Sequence, residues 1–395
     1  MKSYKAHFQK FIGADPKRLH FAAHSHHYWP DVSEAAHARA WSDAATLVDD
    51  KWDRVFGKLW PRAQRHVARA LRLPDPSTIA FAPNTHELVM RVVSCLPRDR
   101  PIRVLTTDGE FHSFARQMSR LEEGGLAEVV RVPERPLATF LERFREAERG
   151  HFDLVYVSQV FFDSGYAVRD LEPIVSAAPS GAVVMIDGYH AFWAIDVDLS
   201  PIASRAFYVA GGYKYAMSGE GCCFLHAPPG AFPRPVDTGW FAAFFALSSA
   251  QGGGQIRQVP YAADASRFLG ATFDPSALHR FDAVMAWLER EGVTPSEIDE
   301  RAKSLQALFV RELEKHSDLP IREAQLVVPI ADRNRGQFLV FETERAVEIH
   351  ARLVSRGVMT DVRGDRLRVG FAIYHDESDV LECVRRIAEA WEMLG

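Results

Sequence analysis

Cysteine is scarce and unpatterned in this chain. Cys95, Cys222, Cys223 and Cys383 form no CxxC pair and repeat no spacing, which excludes a disulfide framework and a zinc-finger scaffold. The adjacent pair in the apolar "CCFLHA" reads as buried strand. Long apolar runs are missing too: no stretch approaches the roughly 20 residues of a membrane-spanning helix. The N-terminal "MKSYKAHFQKFIGADPKRLHF" is basic but has neither the apolar core nor the small-residue cleavage site of a signal peptide. These absences predict a cytoplasmic protein without a membrane partner. One-sided charge is also lacking. The 47 Lys and Arg against 52 Asp and Glu leave a net charge of -5, with no positive stripe for a phosphate backbone, so nucleic acid is not an expected partner. No self-similar period marks a repeat protein.

What is present suits an ordinary large globular protein. A chain of 395 residues, 47% hydrophobic and 25% charged, can bury a large core and suggests two domains. Between residues 80 and 230 short β-rich runs alternate with amphipathic ones, the pattern of an α/β fold with a mainly parallel sheet flanked by helices. The predicted strands are "RVLTT", "DLVYVS", "AVVMID", "AFYVAG" and "CCFLHA". Helices are expected over Glu87–Cys95, Phe111–Glu122, Leu137–Glu148 and Leu171–Ala178. Glycine and proline break this rhythm from 228 to 275, where "QGGGQ" reads as a flexible surface loop. Beyond it the chain turns helical, with strands near "GQFLVFET" and "RLRVGFA". The expected division is an N-terminal segment (1–20) packing with the small domain, a large domain (21–274) and a smaller α+β domain (275–395).

The stretch "GGYKYAMSGEG" places Lys214 between two tyrosines just after an apolar run. A lysine attacks a carbonyl as the neutral amine, and burial among apolar groups lowers its pKa in that direction. A lysine after a strand is more often merely structural or solvated. Upstream, "VVMIDGYH" is apolar until Asp187, which sets a carboxylate at the carboxyl end of the sheet, where open α/β folds bind ligands. There it can keep a pyridinium nitrogen protonated, as pyridoxal phosphate requires, or serve as a turn or helix-cap aspartate. His190 either orients that carboxylate or packs near the ring.

Asp187, His190 and Lys214, in "IDGYH" and "YKYAMSGEG", resemble the cofactor motif of fold-type-I pyridoxal-phosphate enzymes of the aminotransferase class V superfamily. The tyrosine before the lysine and the "SG.G" after it resemble the kynureninases most. "VYVSQVFFDSGY", "NRGQF" and "GVMTDVRGDRLRVG" extend the similarity over roughly residues 20 to 385. The resemblance implies a mainly parallel seven-stranded large-domain sheet, a Schiff-base lysine at Lys214 and a small-molecule amino-acid substrate. A homodimer with shared active sites is also implied.

Further site residues follow from the chemistry and the resemblance together. A phosphate needs donors at a helix N-terminus. "FAPNTHELVMRVV" offers Thr85 and His86, with Thr85 as cap, phosphate contact or both. In "TTDGEFHSFARQ" Phe111 is the expected ring over the pyridine, with His112 as the alternative. The resemblance suggests that Tyr213 reaches the phosphate, and that Trp240 and Thr272 reach it from a second subunit. Trp240 is otherwise ordinary packing. A planar, permanent charge suits the substrate carboxylate, and the spacing from Arg368 to Tyr374 matches the family's carboxylate-binding arginine. A surface salt bridge is the plainer reading.

Cysteine desulfurases share this fold but attack sulfur with a cysteine shortly before that arginine, and residues 320–382 contain none. A persulfide mechanism is excluded. Where kynureninases carry asparagine and tyrosine beside the cofactor this chain has Phe161, Phe162 and Asp163, and "AHSHHYW" replaces their "GNSLG"-like turn. His24, Ser25 and Phe162 thus become candidate substrate contacts, and kynurenine itself is not the expected substrate. Phe161, Phe162 and Asp163 would form an apolar wall with one carboxylate, suited to a side chain carrying a donor. If "HFAAHSHHYWP" is extended, His24 and His26 share a face as metallohydrolase ligands do, which leaves a metal-dependent hydrolase as a remote alternative. Cleavage at Cβ, by hydrolytic C–C scission or β-elimination, is favoured, and transamination is the runner-up.

Overall fold

The computed structural model describes residues 2–244 and 259–392; the "QGGGQ" stretch lies outside them. The chain enters through a short strand, β1 (Leu19–His20). The main sheet then collects β2 (Ile79–Ala82), β3 (Ile102–Thr107), β4 (Ala127–Val132), β5 (Leu154–Ser158), β6 (Val183–Asp187), β7 (Ala206–Gly211) and β8 (Cys223–His226). Their order is β2-β8-β7-β6-β5-β3-β4, with β8 antiparallel to both neighbours and the remaining pairs parallel. The central strands are buried on both faces, which is why they read as continuous apolar runs rather than alternating ones. Register pairs Ser158 with Asp187 across β5 and β6, so both side chains finish at the carboxyl end of the sheet.

Two strands of this sheet escape the sequence reading. "IAFA" of β2 is only four residues long, and β4, "AEVVRV", is an edge strand with a half-exposed pattern. The helices fall close to expectation, at Thr85–Val93, His112–Glu123, Phe140–Ala147 and Glu172–Ala177.

A second, antiparallel sheet orders β11 (Asp361–Arg363), β12 (Arg366–Gly370) and β9 (Phe338–Glu342). The helices Pro295–Leu313, Ala346–Ser355 and Glu377–Glu392 pack with it around Phe21, Phe309, Phe341 and Leu367. This second core begins at Ala302, later than the boundary expected at 275. The helix Ser276–Glu291 is the reason. Its stripe of Leu278, Phe281, Val284, Met285 and Leu288 is buried in the first core, and composition alone does not say which core an amphipathic stripe faces.

The N-terminal segment ties the two cores together rather than joining the small one alone. Phe8 is fully buried in the first core, while Lys5 pairs with Asp379 at 2.7 Å and β1 runs parallel to β10 (Val358–Met359).

Candidate active site

The parallel strands end against a cavity of about 340 Å³. Thr85, His86, Phe111, Phe162, Asp187, His190, Tyr213 and Lys214 all line it. Each arrives by a local rule. Asp187 is the last residue of β6, and Lys214 follows β7 by three residues. The loop after the lysine turns through Gly219 (φ +75°) and Gly221 (φ +93°), backbone that glycine adopts without strain. A Cβ on Gly212 would strike Ser218 Oγ at 2.1 Å, so the pair of glycines before Lys214 lets that loop fold back tightly.

Lys214 is buried, and its Nζ donates to the His24 carbonyl at 3.0 Å and meets His190 Nε2 at 2.7 Å. Burial, with the Arg368 charge adding to it, lowers the amine to about 7. Burial likewise pushes His190 well below the usual range, so its imidazole is neutral beside Nζ. The rings of Tyr213 and Phe111 lie 5.4 and 5.8 Å from the same nitrogen.

Asp187 accepts from Tyr189 N at 2.9 Å and from Tyr156 Oη at 3.0 Å. Burial raises its pKa against those bonds. Among the described residues no cation forms an ion pair with it, although a buried carboxylate without a countercharge is costly. A protonated ring nitrogen would supply that charge. The donor set therefore fits pyridoxal phosphate, with Asp187 at the ring nitrogen and Lys214 at the carbonyl.

At the proposed phosphate end the N-cap is Asn84, not Thr85. Its side chain accepts from Glu87 N at 2.9 Å, which leaves Thr85 and His86 in the first turn facing the cavity. Tyr213, pushed up to about 12 by burial, stays a phenol donor. Phe111 lines the cavity with its ring toward Lys214, whereas His112 packs edge-on to Phe162 at 5.0 Å outside the lining.

The substrate candidates divide differently. Phe162 is in the lining, but Arg368, His24 and Ser25 are not. Arg368 is 3% exposed and sits behind Phe162, donating from Nη1 to the Phe162 carbonyl and from Nη2 to Asp361. Its Nε is a buried donor with no acceptor. Against burial, which acts upward, His24 and the Arg368 charge hold Asp361 well below the usual carboxylate range. Ser25 is half-buried, its N–H donating to the Ala22 carbonyl at 2.9 Å and its hydroxyl 3.4 Å from His26 Nδ1.

Around His24 the chain makes a turn, so the extended form on which the metal alternative depends is not adopted there. His24 is fully buried against Phe338 and His26 is exposed, 3.8 Å from Glu220, so the two rings share no face. Among the described residues no group of three or more His, Cys, Asp or Glu side chains is placed to hold a metal. The carboxylate expected on the apolar wall is also spent, because Asp163 pairs with Arg366. Trp240 and Thr272 do come together, Nε1 to Oγ1 at 3.1 Å, but on the surface and outside the cavity, with Trp240 44% exposed.

Ser158, Tyr189, Glu220 and Cys223 also line the cavity and were not singled out in the sequence. Ser158 carried a usable signal, as the polar residue closing the apolar strand next to that of Asp187. Cys223 carried none, since its thiol looks like any buried strand residue.

The chain is similar to several known proteins. A sequence model of the kynureninase C-terminal domain matches residues 298–387. The chain is 28% identical over 373 residues to the kynureninase of Deinococcus radiodurans, spanning 88% of this chain and 85% of that one. It is 29% identical over 203 residues to the isopenicillin N epimerase of Streptomyces clavuligerus, covering 50% of each. It superposes on C-DES with glycine covalently linked to the pyridoxal-phosphate cofactor at a TM-score of 0.82 and 15% identity, over 98% of this chain and 100% of that one. The fold is that of the fold-type-I, class V pyridoxal-phosphate enzymes. Within that class, the sequence similarity over most of the chain is to the kynureninases.

Proposed function

We propose that the protein is a pyridoxal-phosphate-dependent enzyme that cleaves a small α-amino acid at Cβ, by hydrolytic C–C scission or β-elimination. The observation that carries this reading is a buried lysine with a pKa of about 7 sharing one cavity with a buried carboxylate that forms no ion pair among the described residues. When bound, pyridoxal phosphate supplies an electron sink for charge developing at the substrate's Cα. The residues of the chain do the rest. Asp187 would hold the ring nitrogen, the first turn at Thr85 and His86 together with Tyr213 would hold the phosphate, and Phe111 would cover the ring.

Lys214 would hold the cofactor at its carbonyl and, when its amine is free, would give and take protons at Nζ. An amine titrating near neutrality both gives and takes a proton readily, and His190 Nε2 at 2.7 Å orients it. Arg368 would receive the substrate carboxylate through its unused Nε and one Nη after Phe162 or Asp361 yields. With Asp163 engaged by Arg366, the substrate side chain would meet the Phe162 ring. That narrow apolar wall favours a smaller amino acid over kynurenine.

The similarity to kynureninase over 88% of the chain supports cleavage at Cβ. Transamination uses the same residues and is the reading to be separated from it. Trp240 and Thr272, joined on the surface, support a homodimer in which they complete a neighbouring site. The test incubates the holoenzyme with a panel of amino acids. Release of alanine or pyruvate supports Cβ cleavage; stoichiometric pyridoxamine phosphate with a keto acid would replace it with transamination.

A further inference from the structure

Beneath the cavity floor lies a second carboxyl group that the reaction above does not use. Glu110 is 3% exposed and does not line the cavity. Its Oε1 receives two donors, Thr107 Oγ1 at 2.7 Å and Ser158 N at 3.1 Å. Its Oε2 meets a single partner, Ser158 Oγ, at 2.6 Å. Ser158 does line the cavity, beside Asp187 in the strand register.

Among the described residues no Lys, Arg or His bonds to Glu110. The titratable neighbours are Asp187 on β6, which disfavours a second negative charge, and Tyr156 on β5, whose phenol burial keeps neutral. On its own loop, Asp108 is turned away to accept from Glu134 N at 2.8 Å. Burial accordingly pushes Glu110 up to about 8.

At neutral pH the acid carries its proton on one oxygen. Oε1 already receives the Ser158 N–H and the Thr107 hydroxyl, so a proton on Oε2 is donated to Ser158 Oγ without turning Thr107 round. The serine's own proton is left to turn into the cavity. Ionised Glu110 reverses this, because it would consume the Ser158 proton and leave only lone pairs facing the ligand.

We propose that Glu110 is a positioning residue: as a neutral acid it donates to Ser158 and so makes that hydroxyl a hydrogen-bond donor to an acceptor oxygen of the bound cofactor. The inference rests on the pyridoxal-phosphate reading given above.

The test titrates pyridoxal phosphate into the protein from pH 6 to pH 10, reading the visible spectrum and the dissociation constant. Wild type should lose affinity about 3- to 10-fold through a transition near pH 8, the scale of one hydrogen bond. Glu110→Gln, whose amide donates to Ser158 at every pH, should lack that transition. Ser158→Ala should bind more weakly throughout and also lack it, and adding Glu110→Gln to Ser158→Ala should change nothing further. Because Ser158→Ala leaves Glu110 buried as it is, it reads the proposal even if the glutamine variant folds poorly. Identical pH profiles in wild type and both single variants, or additive effects in the double variant, would overturn the proposal while leaving the cofactor assignment intact. A wild type that takes up no pyridoxal phosphate at any pH would overturn the assignment as well.

Discussion

The two halves of the site are built differently. On the sheet side, Thr85, His86, Phe111, Asp187, His190, Tyr213 and Lys214 line one cavity, each at or just beyond a strand end or a helix start. On the small-domain side, Arg368 is already bonded to the Phe162 carbonyl and Asp361, while the His24 ring is stacked on Phe338 away from the cavity. Strand ends place side chains by local geometry, which persists whatever else binds. A domain seam places them by competing partners, so the side proposed for the substrate is already engaged elsewhere while the side proposed for the cofactor opens into the cavity.

The largest effect that would break this contrast lies at Lys214. Lys214→Ala should lower turnover at least about 1,000-fold, since both covalent attachment and proton transfer are lost. Its stability should not fall. The folded-state pKa of Lys214 is depressed, so the unfolded chain binds more protons between about pH 7 and the ordinary lysine range, and stability rises with pH across that window. Removing the amine removes this penalty at neutral pH, which thermal unfolding of the cofactor-free protein at pH 7 checks.

Next is Arg368→Lys. A point charge cannot reproduce a planar fork, and losing a charged hydrogen-bond pair costs on the order of 2–3 kcal/mol. kcat/KM should fall about 30- to 150-fold with cofactor affinity unchanged, a split that separates the two halves. Unchanged kinetics would move the clamp elsewhere.

Trp240→Ala should weaken cofactor retention and dimerisation together if this surface pair serves a second subunit, with a change of about 10-fold in cofactor dissociation. Sedimentation together with the visible spectrum measures both. A fully active monomer would remove the shared-site arrangement. The smallest expected effect is that of Phe162→Ala, which uncovers Arg368. It should raise KM for small amino acids only about 2- to 5-fold and improve relative use of bulkier ones, kynurenine included.

The same contrast explains what could be read in advance. Asp187, Lys214 and the helix at Thr85 were legible because an apolar run that ends in a polar residue is a local pattern. The Asp361–Arg368 pair was not, although its members lie only a few residues apart, because antiparallel pairing of β11 with β12 is what sets them face to face. Asp163 looked like a free carboxylate until Arg366 was found against it. The backbone at His24 was left open by the sequence because alternating histidines suit either an extended strand or a turn. The boundary expected at 275 rests on a pattern of the same kind, since the helix Ser276–Glu291 shows an apolar stripe without showing which core takes it.

The most direct measurement is borohydride reduction of the protein loaded with pyridoxal phosphate, followed by peptide mapping across pH 5 to 9. Expected is one stoichiometric pyridoxyl label on Lys214, with the rate of cofactor capture rising as pH passes through about 7 and the neutral amine appears. A protein that stays unlabelled with excess cofactor, or a label on any other lysine, would contradict the assignment of this cavity.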